Sequence, residues 1–116
     1  MKILSKFLKK IRINLTRGCN CVEIDYYTLQ QMIREDNTVI LLDVRSMQEF
    51  KEGHLLGAIN IPLGDLKNKA NLLISNHEQK VIVYCQMGGR SKKAINILYK
   101  MGFTNLYQLN GGLDAI

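Results

Sequence analysis

VIVYCQMGGRSKKA, residues Val81 to Ala94, decides the fold. Its first four residues are apolar or aromatic with no polar alternation, which is the pattern of a strand covered on both faces. Cys85 follows, then Gln86, Met87 and a glycine pair. From Arg90 onward Ala94, Ile95, Leu98 and Met101 recur at helical spacing, with Gly102 as the stop. A doubly covered strand that passes through a glycine turn into a helix is half of a parallel crossover unit. The stretch also poses a chemical choice: Cys85 is either a small core hydrophobe at a strand end or a nucleophile held there.

Working outward, TVILLDV (Thr38 to Val44) is a second near-continuous aliphatic run and reads as the neighbouring buried strand. Before it, CVEID is a short alternating strand, and Asp25 is placed to cap a helix reaching about Arg34 with Leu29, Met32 and Ile33 inward. After it, SMQEFKEG predicts a short helix stopped by Gly53, and AINIPL a short strand ended by Pro62. Asp65 to about Ser75 predicts a helix with Leu66, Leu72 and Leu73 inside, and NLYQL a last strand before Gly111-Gly112. Strands alternating with helices give an α/β domain with a mainly parallel sheet and right-handed crossovers.

The chain has 116 residues, 47% of them hydrophobic, enough for one core and too few for two ordinary domains. The formal net charge of +6 is carried entirely by Lys2, Lys6, Lys9, Lys10, Arg12 and Arg17, with no acid among residues 1 to 17. The remainder is formally neutral, which weighs against a nucleic-acid-binding domain. We therefore divide the chain into a basic leader, residues 1–21, and a domain, residues 22–116. In the leader Ile3, Leu4, Phe7, Leu8 and Ile11 form a helical apolar stripe, interrupted by lysines too often for a transmembrane span or signal peptide. It reads either as a helix lying on an anionic membrane surface or a partner, or as a solvated segment or one packed on its own domain. Three cysteines are too few for a disulfide framework and fit a reducing compartment, so the expected location is cytoplasmic, with peripheral membrane contact through residues 1–17 as an option. Cys19 and Cys21 form a Cys-x-Cys that could resolve a Cys85 persulfide or bind a metal, but two thiolates are an incomplete zinc site, and the pair is expected to be incidental surface residues, with no metal and no cofactor.

In an open parallel sheet, ligands sit beyond the carboxyl ends of the strands. Cys85 stands at such an end. The loop Gln86-Met87-Gly88-Gly89 can curl so that backbone N–H groups converge near the sulfur, backed by the helix that starts at Arg90-Ser91. A thiolate, the nucleophilic form, is stabilised by such a nest and by a nearby cation such as Arg90. No histidine is close in sequence, the two being His54 and His77.

Three stretches, LLDVRSMQEFKEGHLLGAINIPL (Leu41 to Leu63), VIVYCQMGGRSKKA and LYQLNGGL (Leu106 to Leu113), resemble the signature regions of single-domain rhodanese-like sulfurtransferases, in the same order. The resemblance covers roughly Val22 to Ile116. It implies a five-stranded parallel sheet with helices on both faces and an active loop of Gln86, Met87, Gly88, Gly89, Arg90 and Ser91 cradling a persulfide on Cys85. Cys85 would accept sulfane sulfur from thiosulfate, a polysulfide or a low-molecular-weight persulfide and pass it to a thiol or cyanide acceptor. Asp43, Arg45 and His54 would have supporting roles, His54 a structural hydrogen-bonding one. A non-catalytic binding module is the alternative, usually marked by loss of the cysteine. A phosphatase or arsenate reductase would use the same loop, but the related phosphatases have one residue more between cysteine and arginine.

Two departures from the family pattern follow. Ile116 stands where the family often has a tryptophan, so the terminal helix should be short or absent. Gln86 and Met87 are uncharged where several thiosulfate-using members have a base, which favours a neutral or thiol-bound persulfide as donor.

Overall fold

The computed structural model describes residues 20–116. The leader helix expected over residues 1–17 and Cys19 lie outside the described residues. In chain order the elements are β1 (Val22–Ile24), α1 (Tyr26–Glu35), β2 (Ile40–Asp43), α2 (Met47–Glu52), β3 (Ile59–Asn60), a 3-10 turn (Leu63–Asp65), α3 (Leu66–Leu73), β4 (Val81–Tyr84), α4 (Gly89–Lys100), β5 (Leu106–Leu109) and a second 3-10 turn (Gly112–Ala115).

The five strands form one sheet in the order β1-β5-β4-β2-β3, every pair parallel. β4 is central and fully buried at all four positions, as its unbroken apolar run requires. Its side chains alternate between two cores. Val81, Val83 and Cys85 point to the face covered by Leu66 and Ala70 of α3 and by Ala94, Ile95 and Leu98 of α4. Ile82 and Tyr84 point to the opposite face, against Leu29 and Met32 of α1. Cys85 thus continues the β4 alternation onto the α4 side, which puts its sulfur under that helix.

The caps match the residues that set them. Asp25 accepts a hydrogen bond from the Thr28 N–H at 2.8 Å to start α1. Ser46 and Glu49 form a reciprocal capping box at the start of α2. Gly102, at φ +102°, ends α4 in a conformation that suits glycine.

Two expectations are corrected. Leu72 and Leu73 of α3 are exposed, and the inward positions are Leu66, Ala70 and Ile74, four residues apart. The helix stops at Leu73, and Ile74, whose N–H bonds the Ala70 carbonyl, takes the inner place that a longer helix would have passed to Leu73. Cys21 is not a surface residue: it is 5% exposed, disulfide-bonded and part of the core beside α4, because β1 begins at the next residue and draws it under the sheet's covered face. No helix among the described residues is long and apolar enough to cross a membrane.

Candidate active site

The chain leaves β4 at Tyr84 and enters α4 at Gly89, and the turn between them is held by Gly88 at φ +111°, a left-handed conformation open to glycine at little cost. α4 has no side-chain N-cap. The sulfur of Cys85 takes that place: the Gly88 N–H donates to Sγ at 3.0 Å and the Ser91 N–H at 3.4 Å. The first N–H groups of a helix have no partner within it and carry its positive end, so an anion on sulfur meets both donors and dipole. The Ser91 hydroxyl is 3.6 Å from Sγ.

Cys85 is the free cysteine among the described residues, and it is buried. Burial raises its thiol pKa; the Ser91 hydroxyl and the N–H groups of Ser91, Gly88 and Met87 lower it by more, so the thiol lies below its ordinary value. The thiolate fraction at neutral pH rises accordingly.

The loop residues have distinct surroundings. Gly88 and Ser91 touch the sulfur, whereas Met87 has its side chain in solvent at 74% exposure. Gly89 is the first residue of α4. The Gln86 side chain is a tie: its carbonyl accepts from Arg45 Nη1 at 3.2 Å and its amide donates to Asp114 Oδ1 at 2.5 Å. The backbone repeats that tie, with Leu113 N–H on the Cys85 carbonyl and Asp114 N–H on the Gln86 carbonyl, at 3.1 and 3.0 Å.

Arg90 does not hydrogen-bond the sulfur. Its guanidinium forks onto Glu49 of α2, Nη1 to Oε1 at 2.6 Å and Nη2 to Oε2 at 3.0 Å. The Arg90 hydrogen bond holds the Glu49 carboxyl down at about 2. Sequence reasoning used Glu49 only as part of a short helix; its spacing after Ser46 marks a cap, and nothing in the spacing reveals a partner 41 residues away.

Asp43 and Arg45 sit together below the loop. Asp43 is fully buried and takes Arg45 Nε at 3.1 Å and Nη2 at 2.8 Å, and the same Nη2 donates to the Gly53 carbonyl at 2.6 Å. Through Gln86 and Gly53, Arg45 joins the active loop to the end of α2. His54 is exposed, stacks on Phe50 at 3.6 Å between ring centroids, and has Nδ1 2.7 Å from the Phe50 carbonyl, so it closes the last turn of α2. Among the described residues no group of three or more His, Cys, Asp or Glu could hold a metal ion.

The most consequential residue that sequence reasoning missed is Gln108. Buried in the middle of β5, its Nε2 donates to both the Gly88 carbonyl and Ser91 Oγ, each at 3.0 Å. A polar residue inside LYQL, where a covered strand should be apolar, was the available signal.

YrkF of Bacillus subtilis is 30% identical to this chain over 113 residues, covering 97% of the chain; the chain spans 60% of YrkF's length. Thiosulfate sulfurtransferase PspE of Escherichia coli is 36% identical over 73 residues, 63% of this chain and 70% of that protein. In structure, a rhodanese-related protein from Thermoplasma volcanium superposes with a TM-score of 0.67 at 31% identity, over 78% of this chain and 85% of that one. Residues 25–116 match the rhodanese-like domain, and the chain belongs to that family.

Proposed function

We propose that this chain is a sulfurtransferase that carries a sulfane sulfur as a persulfide on Cys85. The observation that supports it best is the sulfur in the place of an N-cap, with Gly88 and Ser91 N–H groups aimed at it from the start of α4. With a persulfide donor R–S–SH, the Cys85 thiolate attacks the outer sulfur. The donor S–S bond breaks, the thiol R–SH leaves with the proton, and Cys85–S–S⁻ remains. An acceptor nucleophile then takes the outer sulfur and returns the Cys85 thiolate, the two-step logic of covalent catalysis. The same converging N–H groups favour the anion in both states of the sulfur.

A thiol-bound persulfide suits the loop better than thiosulfate. Two cations at the loop, Arg45 on Gln86 and Arg90 at the start of α4, are each paired with a carboxylate, Asp43 and Glu49. The Gln86 amide is engaged on both sides, and the exposed part of the loop is the thioether of Met87. With those cations neutralised by their partners and Met87 in solvent, the rim offers a dianion little and a thiol-bearing organic donor contact surface. The presence of Cys85 also weighs against the binding-module alternative, which is usually marked by loss of the cysteine.

Incubating the reduced protein with thiosulfate and, separately, with glutathione persulfide tests both parts by intact mass. Addition of one sulfur atom, absent in Cys85→Ala, is the expected result, with faster loading from glutathione persulfide. No adduct from either donor overturns the enzyme reading; a preference for thiosulfate overturns the donor assignment alone.

The chemistry lies in residues 22–116, and residues 1–17 take no part in it.

A further inference from the structure

Behind the loop, away from its solvent face, lies a set of hydrogen bonds among almost fully buried side chains, with Gln108 Oε1 also 4.0 Å from Cys21 Sγ. The Ser91 hydroxyl has one proton, and it donates that proton to the Gly88 carbonyl at 2.9 Å. While Cys85 is a thiol this arrangement is consistent, since the S–H can donate to Ser91 Oγ 3.6 Å away. When the sulfur becomes an anion it has no proton to give, and the hydroxyl is needed as a donor to it. The single Ser91 proton then has two claimants, the Gly88 carbonyl and the sulfur.

Gln108 resolves the competition. Its amide has two N–H bonds, and its nitrogen is 3.0 Å from both the Gly88 carbonyl and Ser91 Oγ. If the Ser91 hydroxyl rotates to the sulfur, the Gly88 carbonyl keeps Gln108 Nε2 and a longer contact of 3.3 Å from the Lys92 N–H. Ser91 Oγ, no longer receiving the S–H, still accepts from Gln108. No buried polar atom is abandoned, and abandonment is what makes such rotations costly in a dry interior.

We propose that Gln108 is a positioning residue for the sulfur chemistry: its two N–H groups hold the Gly88 carbonyl and Ser91 Oγ so that the Ser91 proton is free to turn to the Cys85 sulfur. The role rests on the reading of Cys85 as a working thiolate. It acts through Ser91 and touches neither donor nor acceptor. An apolar residue of the same length would leave the Gly88 carbonyl dependent on Ser91 and pin the hydroxyl there.

The charged and titratable groups around the loop are Arg90 with Glu49 on α2, Arg45 with Asp43 at the end of β2, Asp114 on Gln86, and Tyr84 before the cysteine. None contacts Gln108 in these bonds, so a change at Gln108 leaves their charges in place. The test is the pH dependence of Cys85 alkylation by iodoacetamide in wild type, Gln108→Met, Ser91→Ala and the double variant, each checked for native melting. The expected result is a midpoint raised by about one unit in Gln108→Met, the scale of one lost hydrogen bond to a charged group. In the Ser91→Ala background the same change should have no further effect. An unchanged midpoint, or an equal rise with and without Ser91, overturns the proposal. Should Gln108→Met not fold, Gln108→Asn draws the amide back by one methylene and is judged by the same two outcomes. The alkylation readout is independent of sulfur donors, so a wild type that takes up no sulfur would defeat the enzyme reading and leave this measurement standing.

Discussion

A β-carbon built on Gly112 would lie 2.5 Å from the carbonyl oxygen of Cys85 and 2.6 Å from that of Gln86. The second closing glycine therefore lets the C-terminal turn press against the backbone of the active loop. Its φ of +64° adds a second reason for glycine. Gly112→Ala should cost roughly 1–3 kcal/mol from backbone strain alone, and more because the neighbours are backbone rather than yielding side chains. Denaturant unfolding measures it; a change under about 0.5 kcal/mol, the range of a neutral surface substitution, would contradict the close approach.

Stability should depend on pH through Cys85. Its folded thiol pKa lies below the ordinary value of 9.0, with burial opposing and the Ser91, Gly88 and Met87 hydrogen bonds prevailing. Between the two values the unfolded chain binds more protons than the folded one, so stability rises with pH there, is fully present above the unfolded pKa, and is lost as pH falls through the folded one. Unfolding free energies of wild type and Cys85→Ala, followed from pH 6 to about 9.5 across the ordinary thiol range, should diverge with the wild type gaining. Parallel curves would show an unshifted thiol.

Glu49→Gln keeps a capping residue at the start of α2 and removes the charge that engages Arg90. The pair is more than a third exposed on the arginine side, so the stability change should stay under about 1 kcal/mol. The freed guanidinium should instead alter donor choice, raising kcat/KM for thiosulfate relative to glutathione persulfide. Since Glu49 is held at about 2 by Arg90, the wild-type preference should persist through mildly acidic pH, the paired carboxylate losing its stabilising effect only as pH falls from the ordinary carboxyl range through about 2. A ratio that does not move in Glu49→Gln would dissociate the pair from specificity.

Leu66→Ala and Leu72→Ala should separate cleanly although both leucines lie on α3. Leu66 is fully buried, and its truncation should cost about 2–5 kcal/mol. Leu72 is exposed, and its truncation should fall within about 0.5 kcal/mol of neutral. Equal losses in thermal unfolding would mean that the helix faces the sheet by another side.

Deleting residues 1–17 removes the whole net positive charge of the chain. Sulfur loading of Cys85 should be unchanged in the shortened protein, measured by intact mass after a fixed exposure to persulfide donor. Loss of loading would bring that segment into the chemistry.

Most of the fold could be read because its signals are local. The apolar runs at 40–42 and 81–84 lie in strands, and Asp25 and Gly102 are the cap and stop they resemble. The inward face of α3 was misread because a helix of eight residues has too few turns for its period to outvote three leucines. At the site, the cysteine, the glycine turn and the helix start were legible as one stretch. The partners were not: Glu49 for Arg90, Asp114 for Gln86 and Gln108 for Ser91 each come from 17 to 41 residues away, and only tertiary packing brings them in.

The sheet order carries one more consequence. β5 is synthesised after the other four strands, yet it lies between β1 and β4 and brings Gln108 and the turn from Gly112 with it. A nascent chain that has emerged only as far as α4 has β1 unpaired, β4 open along one edge and no backing for the loop. Insertion of β5 must then close contacts spanning more than eighty residues, from Val22 to Tyr107, a late and slow event for any chain. The bonds from Gln108 and the close approach of Gly112 that back the cysteine loop therefore form last, after nearly all of residues 22–116 has been made.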